Sequence, residues 1–173
     1  MAVEIKLVLT DGEQQRVDRV LDHLLEKAKD VSGALANVGE ALLQTTLERF
    51  TTQTDPAGNK WQPLSELTKK LRGSSSPILN RTGRLKGSIV YQVDGNILKL
   101  GPNTIDAAVH QFGATIVPRD KKALRIPTGG EGELFIKKAV IPSRPYIGFG
   151  EKDEQAALDS IEDWFDVENE LNS

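Results

Sequence analysis

The sequence predicts an α+β fold: two long N-terminal helices and a C-terminal helix packed on an antiparallel or mixed β-sheet, with a long extended loop. Three observations carry this. Apolar residues recur at helical spacing in two N-terminal runs, at Val17, Val20, Leu21, Leu24, Leu25 and Ala28, and from Leu35 to Phe50. The middle of the chain, from Ser88 to Val140, is instead rich in short β-forming runs broken by Gly, Pro and Asn. Helical spacing then returns in Ala157, Leu158, Ile161, Trp164 and Phe165. A chain of 173 residues fits one domain, residues 1–173, large enough to bury a core.

The elements follow in order. Val3, Ile5, Leu7 and Leu9 alternate with their neighbours as in a half-buried strand, which Asp11-Gly12 ends. The first helix follows, capped by Asp11 or Gly12. His23 lies beside its apolar stripe with no second metal ligand at helical spacing, so it reads as surface or packing. Ser32 opens a second helix that ends near Thr52, with Glu40, Glu48 and Arg49 on the solvent side. Gly33 and Gly39 mark close packing or a bend within it.

Residues 52–79 form the extended loop. Turn dipeptides at Asp55-Pro56 and Gly58-Asn59 precede the aromatic anchor Trp61, Ser65 to Leu71 make a short helix, and 73–77 are a flexible link. Thr82 caps a short turn through Leu85-Lys86. The best hairpin is Ser88–Val93 with Ile97–Leu100 across Asp94-Gly95-Asn96. Ile105 to Val109 is ambiguous, and further strands are expected at Ala114–Val117, Leu124–Ile126 and Leu134–Val140, the last two separated by a hairpin-tip loop at 127–133. Pro142, Arg144 and Pro145 stiffen an extended stretch, Asp153 caps the last helix, and the acidic tail 166–173 frays.

Composition excludes several classes of function. Without cysteine there is no disulfide or thiolate chemistry. No apolar run approaches membrane-spanning length and no signal peptide opens the chain, so a cytoplasmic protein without a membrane partner is expected. The glycines of 128–132 lack the Lys-Ser/Thr and helix start of a phosphate loop. Two histidines in unlike segments form no metal set, and no serine sits in a nucleophile elbow, so neither catalysis, metal nor cofactor is expected. Charge is the more telling feature. Lys and Arg against Asp and Glu number 6 to 10 in residues 1–59, 15 to 6 in 60–144 and 1 to 9 in 145–173, balances of −4, +9 and −8. Such asymmetry marks contacts between regions, between subunits or with an anionic partner. A nucleic-acid-contacting accessory protein using this basic centre is the alternative reading, although a pI near 5.5 and few aromatics weigh against it.

Four blocks then carry a resemblance: DPAGNKWQPL at Asp55–Leu64, ILNRTGRLKGSI at Ile78–Ile89, AAVHQFGATI at Ala107–Ile116 and IPSRPYIGF at Ile141–Phe149. In order and spacing they resemble the phage virion morphogenesis proteins, the tail-completion or head–tail joining proteins of Mu-like and related tailed phages and prophages. The resemblance implies a virion subunit assembled in the host bacterial cytoplasm. It would form a homo-oligomeric ring, hexameric by that resemblance, with other neck and tail proteins as partners and DNA nearby in the virion lumen. It also implies that Arg81, Arg84, His110, Phe112 and Arg144 are interface or framework residues rather than catalysts. Trp61 with its loop, and the stiff SRPY segment that holds Tyr146, read as hooks onto a neighbour or as cover for the core.

Overall fold

A computed structural model describes residues 11–72, 77–128 and 132–166. The expected strand at 3–9, the link at 73–76, the tip at 129–131 and the tail beyond 166 lie outside the described residues. The observed elements are α1 (Asp11–Lys29), α2 (Ser32–Thr52), α3 (Glu66–Arg72), α4 (Arg84–Gly87), β1 (Ile89–Asp94), β2 (Ile97–Pro102), α5 (Ala107–Phe112), β3 (Ala114–Ile116), β4 (Leu124–Pro127), β5 (Glu133–Ile136), β6 (Ala139–Ile141) and α6 (Glu151–Phe165). The fold is α+β.

α2 is the spine. It runs between α6 on one side and the β1–β2 hairpin on another, and its two internal glycines make both contacts close. The indole of Trp164 lies where a side chain on Gly33 would be. At Gly39, an added Cβ would come within 2.5 Å of Tyr91 Cδ2 and 2.9 Å of Leu98 Cδ1. Six residues separate the glycines, about 120° around the axis at 100° per residue, so each opens a different face. α2 ends where Gln53 enters the left-handed region (φ 56°) and its N–H returns to the Arg49 carbonyl.

Below this end of α2 lies the core of Phe50, Trp61, Leu85, Ile89, Ala107 and Tyr146. The 52–79 segment is less open than expected. Thr54 bridges Lys60, Asp55 and Asn59 close the turn between them, and Trp61 drops straight into the core.

The strands differ from expectation in one respect. In place of a single sheet, the described residues form three separate antiparallel pairs, β1–β2, β3–β6 and β4–β5. The hairpin pairs Ile89 with Pro102 through Asp94 with Ile97, leaving a two-residue Gly95-Asn96 turn. The run expected as one strand from Leu134 to Val140 breaks at Lys137-Lys138; its first half pairs back on β4 and its second half crosses to β3. β3 to β6 are runs of three to four residues, cut off from the β1–β2 hairpin by α5, and are too short to knit one sheet. The ambiguous 105–109 stretch proves to lead into α5.

Three further expectations are corrected. Arg49, read as solvent-facing, is buried. Asp153 is not the N-cap of α6 but its third residue, and its carboxylate accepts the Gly150 N–H at 2.8 Å. The α1 stripe does not face a sheet: Val17, Leu21 and Leu25 are exposed, while Lys27 ties the helix to α6 by donating to the Trp164 carbonyl at 2.9 Å.

The glycine contact yields a sign test. Gly39→Ala should favour an isolated helix by about 0.5–1 kcal/mol. Here it should instead lower stability by about 1–3 kcal/mol through overpacking against Tyr91. Urea denaturation measures this, and a stabilised variant would show that the interface yields easily.

Candidate functional site

The stretch from Pro142 to Gly150 has no regular secondary structure, and its two prolines leave gaps in the supply of backbone donors. Its polar groups must therefore be satisfied by side chains from elsewhere, and they are. Gln111 Oε1 accepts from the N–H groups of Tyr146 (3.0 Å) and Ile147 (3.1 Å), while its Nε2 donates to the Ile147 carbonyl at 2.7 Å. The Trp61 indole donates to the Pro145 carbonyl at 2.8 Å and the Tyr146 hydroxyl to the Ala107 carbonyl at 3.2 Å. Phe50 meets Trp61 edge-on, with ring centroids 5.6 Å apart, and Tyr146 at 5.4 Å.

The far end of this strap is held by charge. Arg49 Nη2 and Asp153 Oδ2 form a buried ion pair, with 7% and 1% of the two side chains exposed. Arg49 Nη1 donates to the carbonyls of Tyr146 (3.0 Å) and Gly148 (3.4 Å), and Thr45 Oγ1 donates to Asp153 Oδ1 at 2.5 Å. Each charge is thus enclosed by its partner and by further hydrogen bonds, the condition under which a buried pair is tolerated.

On the other side of the strap a cleft of about 910 Å³ opens. Arg72 from α3, Arg81 and Arg84 from the knuckle before β1, and His110 and Arg144 all line it, with Asp106 as their acidic neighbour. Gly83, in the left-handed region at φ 74°, starts α4 between the two knuckle arginines. Arg144 is buried: its Nε donates to the Gln62 carbonyl at 2.8 Å and its Nη2 to the Pro63 carbonyl at 3.0 Å. Arg81 and Arg84 are exposed. Burial, then the like charge of Arg72, pulls the Arg144 pKa down; burial, then Arg81, does the same to Arg72. Burial also holds the His110 imidazole below its ordinary 6.5, opposed by Asp106 and helped by Arg144 and Arg72. The Tyr146 phenol is pushed up to about 12 by burial and then by Asp106.

The structure thus brings Arg81, Arg84, His110 and Arg144 together. Trp61 and Tyr146 lie in the core behind them, while Phe112 is 77% exposed beside a separate apolar recess of about 360 Å³. Sequence reasoning passed over Arg49, Gln111 and Asp153. Gln111 was within reach, since it stands in a quoted block between His110 and Phe112; nothing in the helical pattern distinguished Arg49 from Glu48. Among the described residues, no group of His, Asp and Glu has the makings of a metal site, and no helix is long and apolar enough to cross a membrane.

Two measurements probe this framework. Arg49→Met strands the Asp153 carboxylate and should cost about 3–5 kcal/mol in chemical denaturation; a loss below about 1 kcal/mol would mean that the pair does not hold the strap. For His110, the depressed folded pKa means that the native state binds fewer protons than the unfolded chain below pH 6.5. Its contribution is complete above that pH and fades as pH falls through the folded value. The stability of His110→Gln should therefore fall less steeply than that of the wild type below pH 6.5. Parallel curves would assign the acid sensitivity to other groups.

Comparison with known proteins places the chain. The sequence profile of the phage virion morphogenesis family matches residues 12–166. The chain is 30% identical over 153 residues to "Putative capsid assembly protein G" of Escherichia phage Mu, covering 85% of this chain and 86% of that protein. It is 26% identical over 151 residues to "Mu-like prophage FluMu G protein 2" of Haemophilus influenzae, covering 83% and 94%. No solved structure matches it. With the profile spanning the helices and strands of the described residues, the chain belongs to the phage virion morphogenesis family.

Proposed function

We propose that this protein is a structural subunit that completes the tail or joins head to tail. On this reading it forms a ring of identical copies in the neck region and binds other neck and tail proteins, in particles assembled in the bacterial cytoplasm. It acts by contact, without a catalytic step or a cofactor. Family membership supports the assembly role, as does the name of the Mu relative.

One observation about the chain itself carries the reading. Among the described residues, fifteen large apolar side chains are exposed, whereas eight hydrophobic residues form the buried core. Ile105 is 96% exposed and Phe112 77%, and they flank a recess floored by Ala107, Tyr146 and Ile147. Singly exposed apolar residues are ordinary, but two so bare beside a preformed recess mark a surface that another protein covers. The recess floor belongs to the hydrogen-bonded strap and α5, so it is rigid before any partner arrives.

Light scattering over a range of protein concentrations should show a discrete species of several subunits. Phe112→Asp should reduce that species at least tenfold while leaving the circular dichroism native. A wild-type chain that stays monomeric alone and also fails to bind purified neck or tail proteins would overturn the proposal.

A further inference from the structure

We infer that the arginine cleft is the docking site for the acidic C-terminal end of α6 on a second copy of this chain. The inference rests on the ring reading above and names the surfaces that make the contact.

The cleft gathers Arg72, Arg81, Arg84 and Arg144 around one open volume with a single acidic residue, Asp106, in its lining. Among the described residues, no carboxylate forms an ion pair with any of the four. Arg144 spends its hydrogen bonds on backbone carbonyls, which leave its charge uncompensated. Clustered arginines repel, and the lowered pKa values of Arg72 and Arg144 register that repulsion together with their burial. Such a site gains most from a multivalent anion, and arginine forks suit carboxylates in particular.

The chain supplies a matching negative pole. The last turn of α6 holds Glu162 and Asp163, both exposed, and no basic residue. Acidic groups at a helix C-terminus oppose the macrodipole, each at about 0.3–1 kcal/mol. Lys27 is the cation brought to this end, through the Trp164 carbonyl and ring. A pole maintained against its own helix dipole points to a use outside the helix.

The two surfaces cannot meet within one molecule. α6 runs antiparallel to α2: Asp153 sits at Arg49, while Trp164 sits at Gly33. The eleven positions of α6 between Asp153 and Trp164 span about 16 Å at 1.5 Å per residue. The cleft lies past the Arg49 end, beyond Trp61 and Gln62. Pole and cleft therefore occupy opposite ends of the spine, and pairing them joins copies head to tail, the heterologous geometry that closes rings.

The test uses the full chain and charge reversal. Sedimentation velocity should show self-association of the wild type weakening with added salt. Arg81→Glu with Arg84→Glu should weaken it at least tenfold, and so should Glu162→Lys with Asp163→Lys, each with native circular dichroism. Combining all four substitutions should restore association, an outcome that general misfolding cannot produce. An oligomer indifferent to both reversals overturns this contact while leaving the ring reading in place, and a wild type that never self-associates, alone or with purified neck and tail proteins, overturns both. If Arg81→Glu/Arg84→Glu abolishes salt-sensitive binding of duplex DNA but spares association, the cleft takes a phosphate backbone instead and the inference fails.

Discussion

The structure depends on one buried charge pair. Arg49 and Asp153 tie three pieces of chain at one point: α2, the strap and the start of α6. The Trp164 indole seated at Gly33 fits the far ends of α2 and α6 together. Directional bonds fix the near end. Asp153 accepts from Arg49, Thr45 and the Gly150 N–H, so α6 can begin at one place only and point in one direction only. The same guanidinium orders the strap by binding the Tyr146 and Gly148 carbonyls, and the strap in turn positions Arg144 over the cleft.

Much of this was legible in the sequence, and the failures have physical causes. The bounds of α2, the β1–β2 hairpin and the existence of α6 follow from periodicity and turn residues, which are local signals. The glycines of α2 were readable as close contacts, since glycine inside a helix is disfavoured unless something needs the space. Strand pairing was less readable: Leu134 to Val140 has one composition but two partners, and partner choice is not local. Arg49 was misread because it follows the exposed Glu48 and solvent is where arginine usually belongs. Its partner lies 104 positions away, and no periodicity carries that information. The cleft was legible only as a surplus of positive charge; that Arg72, Arg81, Arg84 and Arg144 converge is a product of tertiary structure.

The framework is rigid where the surface is unfinished. Gln111, Trp61, Tyr146 and Arg144 are committed to backbone partners, so little conformational entropy remains to be lost there when a partner binds. Around them lie the exposed side chains of Ile105, Phe112 and Phe149 and the arginines of the cleft. A preorganised surface with apolar and charged parts is economical for assembly, because binding free energy goes into the contact rather than into ordering the subunit.

In the proposed assembly the two kinds of surface would divide the work differently. Burial of Phe112 and Ile105 is non-directional and governs how long a contact lasts, since it is lost only when the subunits separate. Charge acts at longer range, over about 8 Å at physiological ionic strength, and governs how subunits approach. If charge lay in one mixed patch it would favour any pairing. In the ring proposed above, separation to opposite ends of the α2–α6 spine would disfavour cleft-to-cleft and pole-to-pole encounters and leave head-to-tail as the attractive one. Like-charge rejection would then select the geometry before apolar contact fixes it. The angle between successive copies would be set by the protein's own frame, and through α6 that frame goes back to the pairing of Arg49 with Asp153.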